Sequence, residues 1–252
     1  MGGLASGMLD AWSIYDVKGS VIMFIVEDVT YNICDQKFHE FEIRKQNPDV
    51  FVIRKTLTEV ADEGRLDENK RLFVGKDEVA VVYFRSGYHP DQYPSEKEWD
   101  ARLMIERSLA IKSPTLHYHL AGTKKVQQAL ACPGALDRYF DDKQKIEQIR
   151  GIFTGLYSLD NDEQGNKAFN AAMENPDRFV LKPQREGGGN NIYGHDIKPF
   201  LSSLAGDERN AYILMDRISP PITTNYVVRP GSGDAELVKV ISELGIFGYI
   251  IG

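Results

Sequence analysis

Cysteine is scarce in this chain of 252 residues, where only Cys34 and Cys132 occur. They form no Cys-x-x-Cys pair, which argues against a disulfide scaffold or thiolate zinc site and suits a reducing compartment. Neither cysteine has a paired base, so covalent nucleophilic catalysis has no support. Basic residues are outnumbered, 30 Lys+Arg against 37 Asp+Glu, and the net charge of −7 argues against a general nucleic-acid or anionic-membrane surface. Long apolar runs are missing as well. Val21–Val26 is far shorter than the roughly 20 residues that span a bilayer. The start, Met1-Gly-Gly-Leu-Ala-Ser-Gly, lacks the charged and apolar regions of a secretory signal. No internal repeat or low-complexity tract is visible. The expectation is a cytoplasmic protein with no nucleic-acid or membrane partner.

What is present is the composition of an ordinary globular protein, 42% hydrophobic, 27% charged and 10% aromatic. That length accommodates one large domain or two smaller ones. The first block reads as parallel α/β. A helix is expected over Leu9–Tyr15 and buried strands at Val21–Val26 and Val50–Ile53. Between the strands lies a helix over Asp35–Lys45 with Phe38, Phe41 and Ile43 inward. Strand, helix, strand at this spacing suggests a parallel crossover, and open α/β sheets bind ligands in the loops after such strands. Asn32 lies in one of these loops and Gln36 just inside the helix. Arg71–Val74 and Val79–Phe84 read as a hairpin, and Glu96–Ser108 as a helix capped by Ser95 with Trp99 and Leu103 four apart. A boundary near Ser113–Leu120 divides a domain 1–119 from a domain 120–252. His117 and His119 alternate as in a strand, lack a third ligand, and read as structural.

The second block holds shorter segments. Helices are expected at Lys124–Leu130, Gly134–Phe140, Lys143–Phe153, Ala168–Met173 and Ile197–Leu204, with a loop at Asn161–Gly165. Strands are expected at Phe179–Leu181 and Tyr212–Met215, and a pair at Leu237–Ser242 and Ile246–Ile251. The densest signal is Phe179–Gly194, where an apolar run delivers Lys182, then Glu186, then three glycines followed by Asn190, Asn191 and Tyr193. Glycines let backbone N–H groups approach a ligand closely, and a concavity of such groups binds anions. Lys182 adds a point charge for a phosphate, and Glu186 is the carboxylate for an accompanying Mg²⁺. The alternative is a plain hairpin tip. Arg85 and Tyr88 flank Gly87 after a buried strand, where a guanidinium fork and a phenol suit a substrate carboxylate. Here the alternative is a surface arginine beside a turn.

Lys-Pro-Gln-Arg-Glu-Gly-Gly-Gly-Asn-Asn closely resembles the glycine-rich lid loop of eukaryotic-type glutathione synthetase, an ATP-grasp ligase. The resemblance continues through Ala121-Gly-Thr-Lys-Lys-Val-Gln-Gln128, Tyr83-Phe-Arg-x-Gly-Tyr88 and Ser242-Glu-Leu-Gly-Ile-Phe-Gly248, in the family's order and spacing. It implies an α/β substrate-binding domain followed by a partial ATP-grasp domain, with antiparallel strands and the glycine-rich lid. The family's chain is about twice as long, with further residues at both ends.

The resemblance also implies the roles. Lys124, Lys182, Glu186, Gly187, Gly188, Gly189, Asn190, Asn191 and Tyr193 would hold ATP phosphates, with Glu186 on Mg²⁺. Met215, Asp216, Arg217 and Ile218 match the adenine segment, usually Met-Glu-Lys-Ile, and Glu243 would be a further nucleotide contact. Asn32, Gln36, Arg85, Ser86, Gly87 and Tyr88 would bind γ-glutamylcysteine. Ser86 replaces the usual acidic residue, and Thr30-Tyr31 the usual Glu-Arg. The implied reaction ligates glycine to γ-glutamylcysteine through an acyl phosphate, in a cytoplasmic homodimer. The alternatives are a non-catalytic nucleotide- or peptide-binding relative, an inactive shortened isoform, or a ligase for another acceptor such as β-alanine. Little synthetase activity is expected of this chain by itself.

Overall fold

The computed structural model describes residues 2–30, 32–185, 188–228, 231 and 233–252. They fall into two compact units, one of residues 1–121 with 247–252 and the other of residues 122–246.

The first unit is built on β1 (Val21–Ile25), whose residues are all buried because both faces are covered. Alternation along the strand divides them. Ile22 and Phe24 pack with Ala5, Met8 and Ala11 of α1 (Gly2–Tyr15) and Ile43 of α2 (Ile33–Gln46). Val21, Met23 and Ile25 pack with Leu57 and Val60 of α3 (Leu57–Glu63) and Ala101 and Ile105 of α4 (Glu96–Arg107). On its two edges β1 pairs in parallel with β2 (Val52–Lys55) and β5 (Asp77–Phe84). The other edge of β5 is shared. Its first residues pair antiparallel with β4 (Leu72–Val74), which pairs with β3 (Gly64–Leu66), and Val81–Tyr83 pair in parallel with β6 (Ile111–Ser113). The expected parallel α/β architecture is therefore present, with an antiparallel extension at one end. Both α3 and α4 start with capping boxes, Thr56 with Glu59 and Ser95 with Glu98.

Several expectations fail here. The buried side of α2 carries Gln36, His39 and Ile43, spaced three and four apart, while Phe38 and Phe41 are 50% and 59% exposed. Hydrophobicity named the wrong side because the sheet-facing positions hold polar residues. Trp99 and Leu103 of α4 are also substantially exposed, although Trp99 stacks on Tyr93 at 3.7 Å. His117 and His119 belong to a helix, α5 (Leu116–Ala121), and not to a strand.

The second unit has an antiparallel sheet in the order β7 (Leu156–Ser158), β10 (Tyr212–Asp216), β8 (Phe179–Pro183), β9 (Ile192–Tyr193). Phe179, Leu181 and Leu214 meet Ala168 and Ala172 of α8 (Glu163–Glu174) and Ile197 and Leu201 of α9 (Ile197–Ser203). The loop expected at Asn161–Gly165 yields at Glu163, because the Asp162 carboxylate accepts from Gly165 N and starts the helix early. Two further helices are α6 (Lys124–Ala131) and α7 (Lys143–Arg150), and Gly134–Phe140 condenses to a single 3-10 turn at Leu136–Arg138.

A separate hairpin joins β11 (Ile222–Val227) and β12 (Glu236–Ile241). Ile246–Ile251 is not a strand. The partner of β12 precedes it in the chain, in a β-branched and aromatic run, Ile-Thr-Thr-Asn-Tyr-Val, of which the sequence marks only the end, from Tyr226, as extended.

Candidate functional site

In the first unit, Ile25 at the end of β1 pairs with Phe84 at the end of β5, so the two following loops emerge side by side. The Arg85 amide extends the pairing by donating to the Ile25 carbonyl at 2.8 Å. Its guanidinium is held from two sides, Nη2 donating to Asp35 Oδ2 at 2.6 Å and Nη1 to Tyr83 OH at 3.2 Å. Burial opposes the charge on Arg85, but the Tyr83 phenol and the Asp35 carboxylate outweigh it, and its pKa is raised. Gly87 sits at φ 88, which a Cβ would strain, and a Cβ there would meet Tyr93 OH at 3.0 Å. Tyr88 is exposed beside it.

Asn32 stands at the N-cap of α2 with no side-chain cap bond, its backbone N–H donating to Thr30 Oγ1 at 3.3 Å. Two expected ligand contacts are placed differently. Gln36 is buried, taking a hydrogen bond from Arg54 Nη2 on Oε1 and giving one from Nε2 to Thr30 Oγ1. Ser86 is buried as well. His39, one helical turn beyond Asp35, is buried against Tyr83 with rings 6.0 Å apart, and neither ring nitrogen has a hydrogen-bond partner among the described residues. Burial, and then the nearby Arg85 charge, push its pKa down.

In the second unit, Lys182 lies on β8 opposite Ile213 of β10, four residues before the glycine loop. The start of α6 is drawn to the same strand end, since Lys124 Nζ donates to the Arg185 carbonyl at 3.1 Å and Lys125 N to Gln184 Oε1 at 3.0 Å. Lys125 Nζ reaches Asp160 at 2.7 Å and Ser158 Oγ at 3.1 Å, tying α6 to β7. Burial would raise the Asp160 carboxyl, but the bond from Lys125 holds it below the usual range. Glu186 and Gly187 lie outside the described residues, and the metal assignment with them. Gly188, Gly189 and Asn190 form a 3-10 turn, followed by Asn191, whose Nδ2 donates to Tyr193 OH at 3.1 Å. Among the described residues no group of three or more His, Cys, Asp or Glu could hold a metal ion.

Met215 and Asp216 end β10, with Arg217 and Ile218 exposed just beyond. The Asp216 carboxylate accepts from Tyr157 OH at 3.1 Å and Arg178 Nε at 3.2 Å. Its backbone N–H donates to the Gly155 carbonyl at 2.8 Å, and a Cβ on Gly155 would overlap the Asp216 carboxylate. Glu243 is exposed in the irregular segment after β12. Sequence reasoning brought out Lys124, Lys182 and Arg85. It missed Asp35, Lys125 and Asp160, which hold or flank them through tertiary contacts with no local motif.

One unit is a parallel α/β sheet with an arginine loop and the other an antiparallel sheet carrying a lysine and a glycine-rich turn, which together define a mixed α/β protein. Residues 1–252 match the model of the eukaryotic glutathione synthase ATP-binding domain. Over 251 residues the chain is 48% identical to glutathione synthetase of Xenopus laevis and 46% identical to that of Homo sapiens. Each alignment covers 99% of this chain and 52% of the relative. The chloroplastic glutathione synthetase of Arabidopsis thaliana is 47% identical over 247 residues, 97% of this chain and 44% of its own. A glutathione synthetase-like effector from Globodera pallida, in its apo form, superimposes with a TM-score of 0.70 at 23% identity, covering 94% of this chain and 50% of its own. The chain belongs to the eukaryotic glutathione synthase family and spans about half the length of the curated relatives it matches. No helix among the described residues is long and apolar enough to cross a membrane.

Proposed function

We propose that the chain acts in the ATP-dependent ligation of glycine to γ-glutamylcysteine, within an ATP-grasp framework. The observation that carries this is the convergence of the α6 N-terminus on the strand end before the glycine loop, through Lys124 on Arg185 and Lys125 on Gln184. The donor set fits a polyphosphate: ammonium groups at Lys124 and Lys182, the Asn191 amide, and the backbone N–H groups of the 3-10 turn Gly188–Asn190. Mg²⁺ would be held with the nucleotide by Glu186 and phosphate oxygens, where it supplies charge neutralisation. Met215–Ile218 would border the base, and Glu243 would contact the nucleotide. In the first unit, Arg85, Tyr88 and Asn32 would bind the dipeptide, with Gln36, Ser86 and Gly87 shaping the loops behind them.

The dipeptide's C-terminal carboxylate takes the γ-phosphoryl group and ADP leaves. The glycine amine then attacks the acyl phosphate, losing a proton, and inorganic phosphate departs. No protein nucleophile is needed, so the side chains act by positioning and by neutralising charge. A cytoplasmic homodimer is part of the same proposal. Titration calorimetry with ATP–Mg²⁺ and with γ-glutamylcysteine, beside an assay for ADP and glutathione, tests it. Absence of binding to both ligands would refute it.

A second possibility is a binding role. The chain would then bind nucleotide or dipeptide without turnover. Binding without product formation selects it, and a ligase for another acceptor is revealed by product formed with β-alanine but not glycine.

A further inference from the structure

Three successive backbone N–H groups of the arginine loop converge on one side-chain oxygen. Gly87, Tyr88 and His89 donate to Gln92 Oε1 at 2.8, 3.0 and 3.2 Å. Consecutive amides aimed at one point form a nest that attracts an oxygen ligand. The same carboxamide uses its other end on a different loop, Nε2 donating to Glu27 Oε1 at 2.5 Å. Glu27 lies two residues beyond the end of β1, in the loop that follows it. A second clasp closes from below, where the Gly87 carbonyl accepts from Tyr93 OH at 2.7 Å.

We infer that Gln92 is a positioning residue that fixes the Arg85–His89 loop in its ligand-ready form and locks it to Glu27 in the loop after β1. This rests on the proposal that the dipeptide binds between these loops. A carboxamide performs both tasks at once, since the nest demands an acceptor and Glu27 demands a donor. Alanine would abandon three amides and one carboxylate to water. A carboxylate at position 92 would satisfy the nest but repel Glu27. Neither Gln92 nor Glu27 needs to touch the dipeptide for this role.

The test is titration of γ-glutamylcysteine and of ATP–Mg²⁺ into the 252-residue chain, with amide hydrogen exchange read at residues 87–89. Gln92→Ala should lose about tenfold in dipeptide affinity, one charged hydrogen bond's worth, with ATP affinity unchanged. Exchange at Gly87, Tyr88 and His89 should quicken by about tenfold or more. Gln92→Glu should also weaken dipeptide binding. Combining it with Glu27→Gln restores a donor–acceptor pair and should recover the affinity, which a purely structural contribution at either position would not do. If the unaltered chain binds the dipeptide and Gln92→Ala binds it equally well, the inference is overturned and the proposed function stands. If the unaltered chain binds no dipeptide, the proposed function of this unit falls, and exchange alone judges the lock. Faster exchange in Gln92→Ala then upholds it, and unchanged exchange overturns it.

Discussion

Arg85 and Asp35 are fifty residues apart in sequence, and their side chains meet at 2.6 Å between Nη2 and Oδ2. Asp35 and Tyr83 between them hold the guanidinium in place. Arg85→Ala should therefore cost about 1.5–3 kcal/mol in γ-glutamylcysteine binding, the range for a charged hydrogen bond. Asp35→Asn keeps the shape and loses the charge, so a smaller loss is expected. Calorimetric affinities of the two variants check the order, and an Asp35→Asn loss larger than that of Arg85→Ala would contradict it.

His39 should make stability depend on pH in a particular window. Its folded pKa lies below the ordinary 6.5, because burial and then Arg85 disfavour the charged ring. As pH falls through 6.5, the unfolded chain takes up a proton at His39 that the folded chain does not. The unfolded state then binds more protons, so stability present above this pH is lost on acidification. Urea midpoints measured at steps between pH 7.5 and pH 5 should fall for the unaltered chain and fall less for His39→Phe. Parallel curves for the two proteins would remove His39 as the cause.

Lys182→Ala and Lys124→Ala should each weaken ATP–Mg²⁺ binding by about 1.5–3 kcal/mol while leaving dipeptide affinity unaltered. Glu186→Gln should act chiefly on the Mg²⁺ dependence of nucleotide binding. Titration of nucleotide at several Mg²⁺ concentrations separates the two effects. Unchanged affinity in Lys182→Ala would exclude the phosphate role.

Much of the framework was legible because local chemistry dictated it. The all-apolar Val21–Ile25 reads as a strand covered on both faces, and Ser95 announced the start of α4. The α2 surface was misjudged because the sheet-facing positions are Gln36 and His39, and no hydrophobic pattern points to buried polar groups. The place of Lys182 on β8 was legible from the apolar run that leads to it. The Lys125–Asp160 pair was not, because its partners lie 35 residues apart and only the fold joins them. Gln92 was invisible for the same reason, as its task is set by backbone amides that carry no side-chain signature.

The hairpin of β11 and β12 offers the last prediction. Its register pairs Ile222 with Ile241 and Tyr226 with Leu237, and these four side chains share one face of the ribbon. They are 65%, 61%, 64% and 60% exposed. A two-stranded ribbon is marginal in water by itself, and its open edges and apolar face favour pairing with other chains. The chain should therefore self-associate at about 10–100 µM, the concentration range in which exposed apolar surface drives aggregation. Ile222→Thr combined with Leu237→Lys removes half of the apolar face and keeps β-compatible residues at least at position 222. Sedimentation velocity over that range should show mass rising with concentration for the unaltered chain and less so for the double variant. A unaltered chain that stays monodisperse and monomeric throughout, with the double variant indistinguishable from it, would show that this face drives no association.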